Sequence, residues 1–282
     1  MPPIVTIARL TILEASRRRL LLALGVLTVV VIALTSWGFS RLPSMKGVTP
    51  AEVRLAASQL TILVAFMFSG VLALGSTLVA APTVASDIES GIALAILPRP
   101  IRRSEVLMGK WPGLAVLVTL YAAGSGLLEL LGIWLATGYT PPHPIVTLCF
   151  VAAEGIVLMS LALLLSTRMS PMTGGVIALV LFFVAWIGGI ALAIGQAFAN
   201  DTIINIGLGS RLLIPTDGLW HGAIFNLEPT DLLALAKAAG RARAGNPFFA
   251  EDPLPAAYLA WCAAWIAGVL ALANWSFAKR DL

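Results

Sequence analysis

The chain has 282 residues, of which 59% are hydrophobic and 11% charged, with a mean hydropathy of +0.94 and a formal net charge of +4. Soluble domains carry about 25% charged residues, so this composition excludes a water-soluble globular protein and points to an integral membrane protein. The basic balance then reflects topology rather than a nucleic-acid surface, because Lys and Arg accumulate on cytoplasmic loops.

The apolar runs are continuous rather than alternating, which predicts helices. About 20 apolar residues cross the hydrocarbon core, and six windows reach that length: 20–38, 59–81, 111–136, 145–167, 173–195 and 256–277. The fold class expected is therefore an all-α integral membrane protein with six transmembrane helices, forming one transmembrane domain over 1–282.

In chain order, residues 1–19 form a lead-in that ends on Arg17, Arg18 and Arg19. The apolar run behind it is too long for a signal peptide and lacks a small-x-small cleavage site, so it is a retained first span. Residues 39–58 link spans one and two, with a helical turn over about 50–58 that Thr49 caps and Pro50 opens. A charged loop over 82–110 follows span two. Span three carries Glu129 and span four Glu154 at similar depth. An ionisable group inside a membrane is costly and must face a bundle interior or a wet cavity. These two are either translocation-cavity candidates or polar pins between helices.

In span five, Gly174, Gly175, Ala185, Gly188 and Gly189 permit close helix packing. Residues 196–255 form the one long loop. Within it, Thr230 to Ala239 reads as a short helix stopped by Gly240, and Arg211 to Pro229 suits an interfacial position. His143 and His221 are isolated in sequence and read as surface or interfacial residues, and Cys149 and Cys262 as fillers inside apolar runs.

With both termini inside, the cytoplasmic basic residues are Arg9, Arg17, Arg18, Arg19, Arg99, Arg102, Arg103, Lys110, Arg168, Lys279 and Arg280, eleven of the 18. The other seven are Arg41, Lys46, Arg54, Arg211, Lys237, Arg241 and Arg243. That bias predicts cytoplasmic termini. Trp37, Trp134, Tyr139, Tyr258 and Trp261 near the outer ends, with Trp111 and Trp275 near the inner ends, form the expected interfacial belts.

No GxxxxGK[ST] phosphate loop occurs, because Gly109-Lys110 is followed by Trp111. Metal-ligand spacings and nucleophile–base pairs are also missing, so neither catalysis nor a resident metal is expected.

The loop SDIESGIALAILPRPIRRSEVLMGK spans residues 86–110. Ile88, Ile92, Ala95 and Ile96 share one helical face. Asp87 and Glu89 fall in the predicted first turn, and Arg99, Arg102 and Arg103 lie past the end, which complements the helix dipole. Pro98 and Pro100 stop the helix, and Ser104 is placed to cap the next one, which carries Glu105, Gly109 and Lys110. Such a helix either docks in a partner's groove or is a positive-inside loop with a helical turn.

This loop resembles the one after the second span of ABC-2-type transporter permeases. The elements that match are Glu89, Gly91, Leu94, Leu97, Pro100, Arg102, Arg103, Gly109 and Lys110. Residues 7–19 are similar to that family's N-terminal lead-in, and Phe277 to Leu282 to its basic tail. Ile92 stands where Thr is common, and residues 4–16 are not cleanly amphipathic, since Arg9 and Leu13 share a face.

The resemblance implies an ABC-2 (type V exporter-like) bundle in a prokaryotic cell membrane. It implies two copies of a separate ABC ATPase that binds the ATP and Mg, and a second permease chain, most simply an identical one. It also implies ATPase-coupling residues at Asp87, Ile88, Glu89, Gly91, Ile92, Pro100, Arg102, Arg103, Glu105 and Lys110. Family members export lipids, polysaccharides or drugs, and short ones serve in assembling nitrous-oxide reductase. The alternative is an ion-coupled secondary transporter that uses Glu129 and Glu154 as its relay.

Overall fold

The computed structural model describes residues 3–17, 19–44, 47–89, 102–229 and 246–280. Ten α-helices occur among them, and no strand: α1 (Pro3–Ser16), α2 (Arg19–Arg41), α3 (Pro50–Ala80), α4 (Pro82–Glu89), α5 (Arg103–Thr137), α6 (Pro144–Ser166), α7 (Pro171–Phe198), α8 (Asp201–Leu213), α9 (Thr216–Leu227) and α10 (Ala256–Ala278). Six of these segments are long and apolar enough to cross a membrane: those built on α2, α3, α5, α6, α7 and α10. Each of the six predicted windows coincides with one of them, with no end more than one residue outside it.

The helix signals are local and physical. Thr49 caps α3: its hydroxyl accepts from the Glu52 N–H at 3.3 Å, and the Glu52 carboxylate accepts from the Thr49 N–H at 2.8 Å. That reciprocal pair is a capping box. The helix it starts is not a separate turn over 50–58 but the first part of α3, which runs on unbroken through span two. At about 1.5 Å per residue its 31 residues reach roughly 46 Å, well beyond the hydrocarbon core. Gly138 ends α5 in the left-handed conformation (φ 69°), where a side chain would be strained.

The core is laid around α6. Leu72 and Val79 of α3, Leu107 and Leu114 of α5, Met159 and Leu163 of α6, and Ala273 and Phe277 of α10 form one buried cluster. In contrast, α2 leaves Leu22, Val26, Val29 and Leu34 more than 60% exposed, as a lipid-facing helix does.

The stretch 196–255, expected as one long loop with Arg211 to Pro229 at the interface, instead carries two helices over 201–227. Helix α8 turns back along α7: Gly195 lies against Ile204, Leu192 against Gly207, and Gly188 against Ser210. Helix α9 then returns along α6, with Phe150 on Gly222, and the His143 N–H donating to the Asn226 carbonyl at 3.2 Å. The pair is a re-entrant hairpin. Its tip meets α7 at Gly189, nine residues or about 14 Å inside the end of that helix. Nine of the twelve residues of α9 are buried. The helix predicted over 230–239 lies outside the described residues.

Candidate functional site

Two ends of the bundle carry chemistry. The first holds α1, the starts of α2 and α5, and the ends of α4, α6 and α10. Here the 82–110 loop begins and returns. Gly91, Ile92 and Pro100 lie outside the described residues, as does the predicted apolar stripe beyond Ile88. The residues on either side are placed.

Helix α4 starts at Pro82, so Asp87 and Glu89 fall in its last turn, not in the first turn of a helix beginning at 87. Acids there oppose the helix dipole, and Asp87 is compensated otherwise. The Lys110 ammonium donates to its carboxylate and to the Thr83 carbonyl, with the Lys110 side chain 7% exposed. Ile88 packs against the main core instead of pointing outward. Asp87, Ile88 and Lys110 therefore form an internal pin between α4 and α5.

The start of α5 also differs from expectation. Arg102, not Ser104, is the N-cap residue, and its N–H donates to the Glu105 carboxylate at 2.8 Å. Arg103 turns to the end of α10. Its Nη1 faces the carbonyls of Arg280 at 2.7 Å, Ala278 at 3.2 Å and Phe277 at 3.4 Å. A cation over the last carbonyls of a helix satisfies orphan acceptors and matches the dipole.

Two more arginines repeat the device. Arg280 donates to the Thr167 carbonyl at 2.6 Å, and Arg168 donates to the Ser276 hydroxyl and carbonyl at 3.0 and 3.1 Å. Helix α1 is seated on α5 by Gly109 and Gly113. A Cβ at Gly109 would sit 2.7 Å from the Ile7 side chain, and one at Gly113 would sit 2.6 Å from the Ala8 carbonyl. This GxxxG spacing lets the two helix backbones approach.

The predicted carboxylates are both buried within the helices, with different neighbours. Glu154 on α6 accepts from the Ser69 hydroxyl of α3 at 2.8 Å. Glu129 on α5 is 4% exposed, and neither carboxyl oxygen finds a hydrogen-bond partner among the described residues. It borders a cavity of about 40 Å³ together with Thr61 and Phe68 of α3 and Thr147 and Val151 of α6. That space is large enough for water. The Thr35 hydroxyl of α2, which faces Glu129, donates back to the Val31 carbonyl at 2.8 Å.

The opposite end holds a cluster that the sequence places in a loop. At the hairpin tip Arg211 Nε donates to the Asp217 carboxylate at 2.5 Å, and His221 Nδ1 lies 2.9 Å from the Asp217 carbonyl. His221 is neither isolated nor superficial. Burial pushes its imidazole below the ordinary value, and the Asp217 carboxylate pulls the other way. Asp217 is 2% exposed and lies within electrostatic reach of Glu154.

Gly189 makes room for it: a Cβ there would stand 1.9 Å from its carboxyl oxygen. The last carbonyls of α8 are satisfied by α10. Tyr258, Trp261 and Trp265 donate to the carbonyls of Arg211, Leu212 and Leu213 at 3.0, 3.1 and 2.8 Å. Nearby, Tyr139 donates to the Leu227 carbonyl at 3.1 Å, and burial pushes its phenol up to about 12. The Tyr139, Tyr258 and Trp261 predicted as interfacial belt thus make specific bonds to α8 and α9.

Residues 5–282 match the family model described as ABC-2 family transporter protein. The chain belongs to this family. It is also 29% identical over 302 aligned positions to a probable ABC transporter permease protein, NosY, of Pseudomonas aeruginosa, and the alignment covers all of both chains. As an ABC-2 family member with six membrane-crossing helices, it is a multi-pass transporter permease subunit. The family also implies association with an ABC ATPase.

Proposed function

We propose that this permease is the membrane half of an ATP-driven exporter, working as a homodimer with two ATPase chains that hold the ATP and Mg. The end with the chain termini faces the cytoplasm of a prokaryotic cell, where the ATPase docks. The observation that carries this reading is the way the loop is anchored. Both of its flanks enter one plate, in which Lys110 pins α4, Arg103 holds α10, and Gly109 and Gly113 seat α1. A force applied to residues 90–101 reaches those helices together.

The coupling residues then divide by role. Glu89, Gly91, Ile92, Pro100 and Arg102 meet the ATPase. Asp87, Ile88, Arg103, Glu105 and Lys110 brace the flanks. Glu129 and Glu154 border the path that opens between α3, α5 and α6.

Copurification tests the docking. Gly91→Trp and Arg102→Glu are expected to reduce recovery of the ATPase at least several-fold while leaving membrane insertion intact. Full recovery with both variants would overturn the assignment. For the carboxylates, ATP-dependent transport by a folded Glu129→Gln/Glu154→Gln variant at the parent rate removes them from the path. Transport driven by a proton gradient without an ATPase would replace this reading with an ion-coupled carrier.

A further inference from the structure

The opposite end of the permease contains a cavity of about 420 Å³ between α7, α8, α9 and the segment leading into α10. That is the size of a small-molecule site, and it is separate from the coupling plate and from the Glu129 cavity. Its apolar walls include Leu192 and Leu254, and its polar lining includes Arg211, His221, Glu251 and Asp252.

The charges are arranged, not merely present. Arg211 borders the cavity, whereas its counter-ion Asp217 does not and stays buried against α7 at Gly189. The guanidinium therefore presents the positive end of a fixed ion pair. Its position is set by the Nε bond to Asp217 and by the Tyr258 bond to its own carbonyl. Glu251 and Asp252 line the same space and are exposed, which puts two negative charges nearer water than the buried ion pair.

A cavity lined by a half-buried cation and two exposed anions has an internal field. An anion alone is attracted by Arg211 and repelled by the acids; a cation alone meets the reverse. A zwitterion that enters anionic group first satisfies both. Ion pairs inside a bundle are costly to assemble and mark ligand pathways, and Arg forms directional bonds to oxyanions.

We propose that this cavity binds a small zwitterion, its anionic group on Arg211 and its ammonium toward Glu251 and Asp252. The same chemistry is supplied by a free solute and by an ethanolamine lipid headgroup. The site requires neither the ATPase nor the coupling loop, so its failure and that of the docking proposal are separate results.

The test uses the full chain purified in detergent. Binding of glycerophosphoethanolamine, glycerol 3-phosphate and ethanolamine is measured by calorimetry. The zwitterion is expected to bind saturably and at least ten-fold more tightly than either ion. Glu251→Gln/Asp252→Asn should bring the zwitterion and glycerol 3-phosphate to similar affinities. Gln196→Trp, which fills the lining without touching the ion pair, should abolish binding in a protein that still elutes as a single species. Competition by nanodiscs containing phosphatidylethanolamine identifies the lipid as the source, and its absence identifies a solute; both support the site. Equal binding of the three probes, no saturable binding, or an unchanged preference in the Glu251/Asp252 variant overturns it.

Discussion

The two ends of this permease use charge in opposite ways. At the end with the termini, cations are paired mainly with backbone: Arg103, Arg168 and Arg280 each donate to carbonyls at helix ends. At the other end the charges face one another, with Arg211, Asp217 and His221 around one hairpin tip. The first arrangement ties several helices into a plate and needs no ligand to complete it. The second sets a field in a cavity. A buried ion pair costs several kcal/mol of desolvation per ion before its Coulomb gain, so it is a poor way merely to hold a hairpin that Tyr258, Trp261 and Trp265 already hold. On the two proposals above, the difference is between a region that ties helices together and one that leaves charge facing a cavity.

The strongest way to break this contrast is to remove one partner of each buried ion pair. Lys110→Met leaves Asp87 without its cation, and Arg211→Met leaves Asp217 without its own. Each is expected to cost about 3–5 kcal/mol, the usual penalty of an uncompensated buried charge. Thermal unfolding of the purified chain measures this. Adding Asp87→Asn to Lys110→Met should recover most of the loss. If the single variants unfold at the parent temperature, neither pair is a structural element.

Next in size is the seat of α1. Gly113→Leu forces a side chain into the Ala8 carbonyl, and overpacking of this kind costs about 1–3 kcal/mol. Because only Thr11 and Ala15 of α1 are buried, it is expected to detach without unfolding the bundle. Limited proteolysis within residues 3–16 would rise several-fold, and ATPase recovery would fall if the plate transmits as proposed. A protease-resistant α1 in this variant would show that the glycine contact is not what holds it.

How far the sequence reveals each end follows from the length scale of the signals. Six spans, the Thr49 cap and the small-residue face of α7 are carried by runs or local spacing, and all were legible. The hairpin was not. Helices of 13 and 12 residues are too short for a span, and the mix of Trp, Phe and Leu with turn residues over Arg211 to Pro229 points to an interfacial position instead. One signal was present: Asn200 followed by Asp201 starts a helix, and the Asn200 side chain indeed accepts from the N–H groups of Thr202 and Ile203. What no local pattern could give was the partner surface, Gly188 and Gly189 on α7. The Lys110–Asp87 pin was hidden similarly, since its halves lie 23 positions apart and both looked like loop charges.

Smaller effects sharpen the contrast at single bonds. Arg103→Gln removes a charged cap from α10 and should cost about 1–2 kcal/mol. Trp265→Phe keeps an aromatic ring, though a smaller one, and leaves the Leu213 carbonyl without its donor, for about 1 kcal/mol from the lost bond. The first should increase hydrogen exchange at the end of α10 and the second at the hairpin tip; the reverse pattern would mean that the two ends are mechanically continuous.

The smallest effect is that of pH on His221. Its imidazole titrates below the ordinary value in the folded chain, so the unfolded chain binds a proton first as pH falls. The stabilising contribution of the neutral ring is complete above about pH 6.5 and is lost as pH drops through the lower folded value. His221→Gln should flatten this part of the stability–pH curve relative to the parent, with the coupling plate untouched. An unchanged acid limb would place the titrating group elsewhere, and the hairpin tip would then hold its charge pattern across that range.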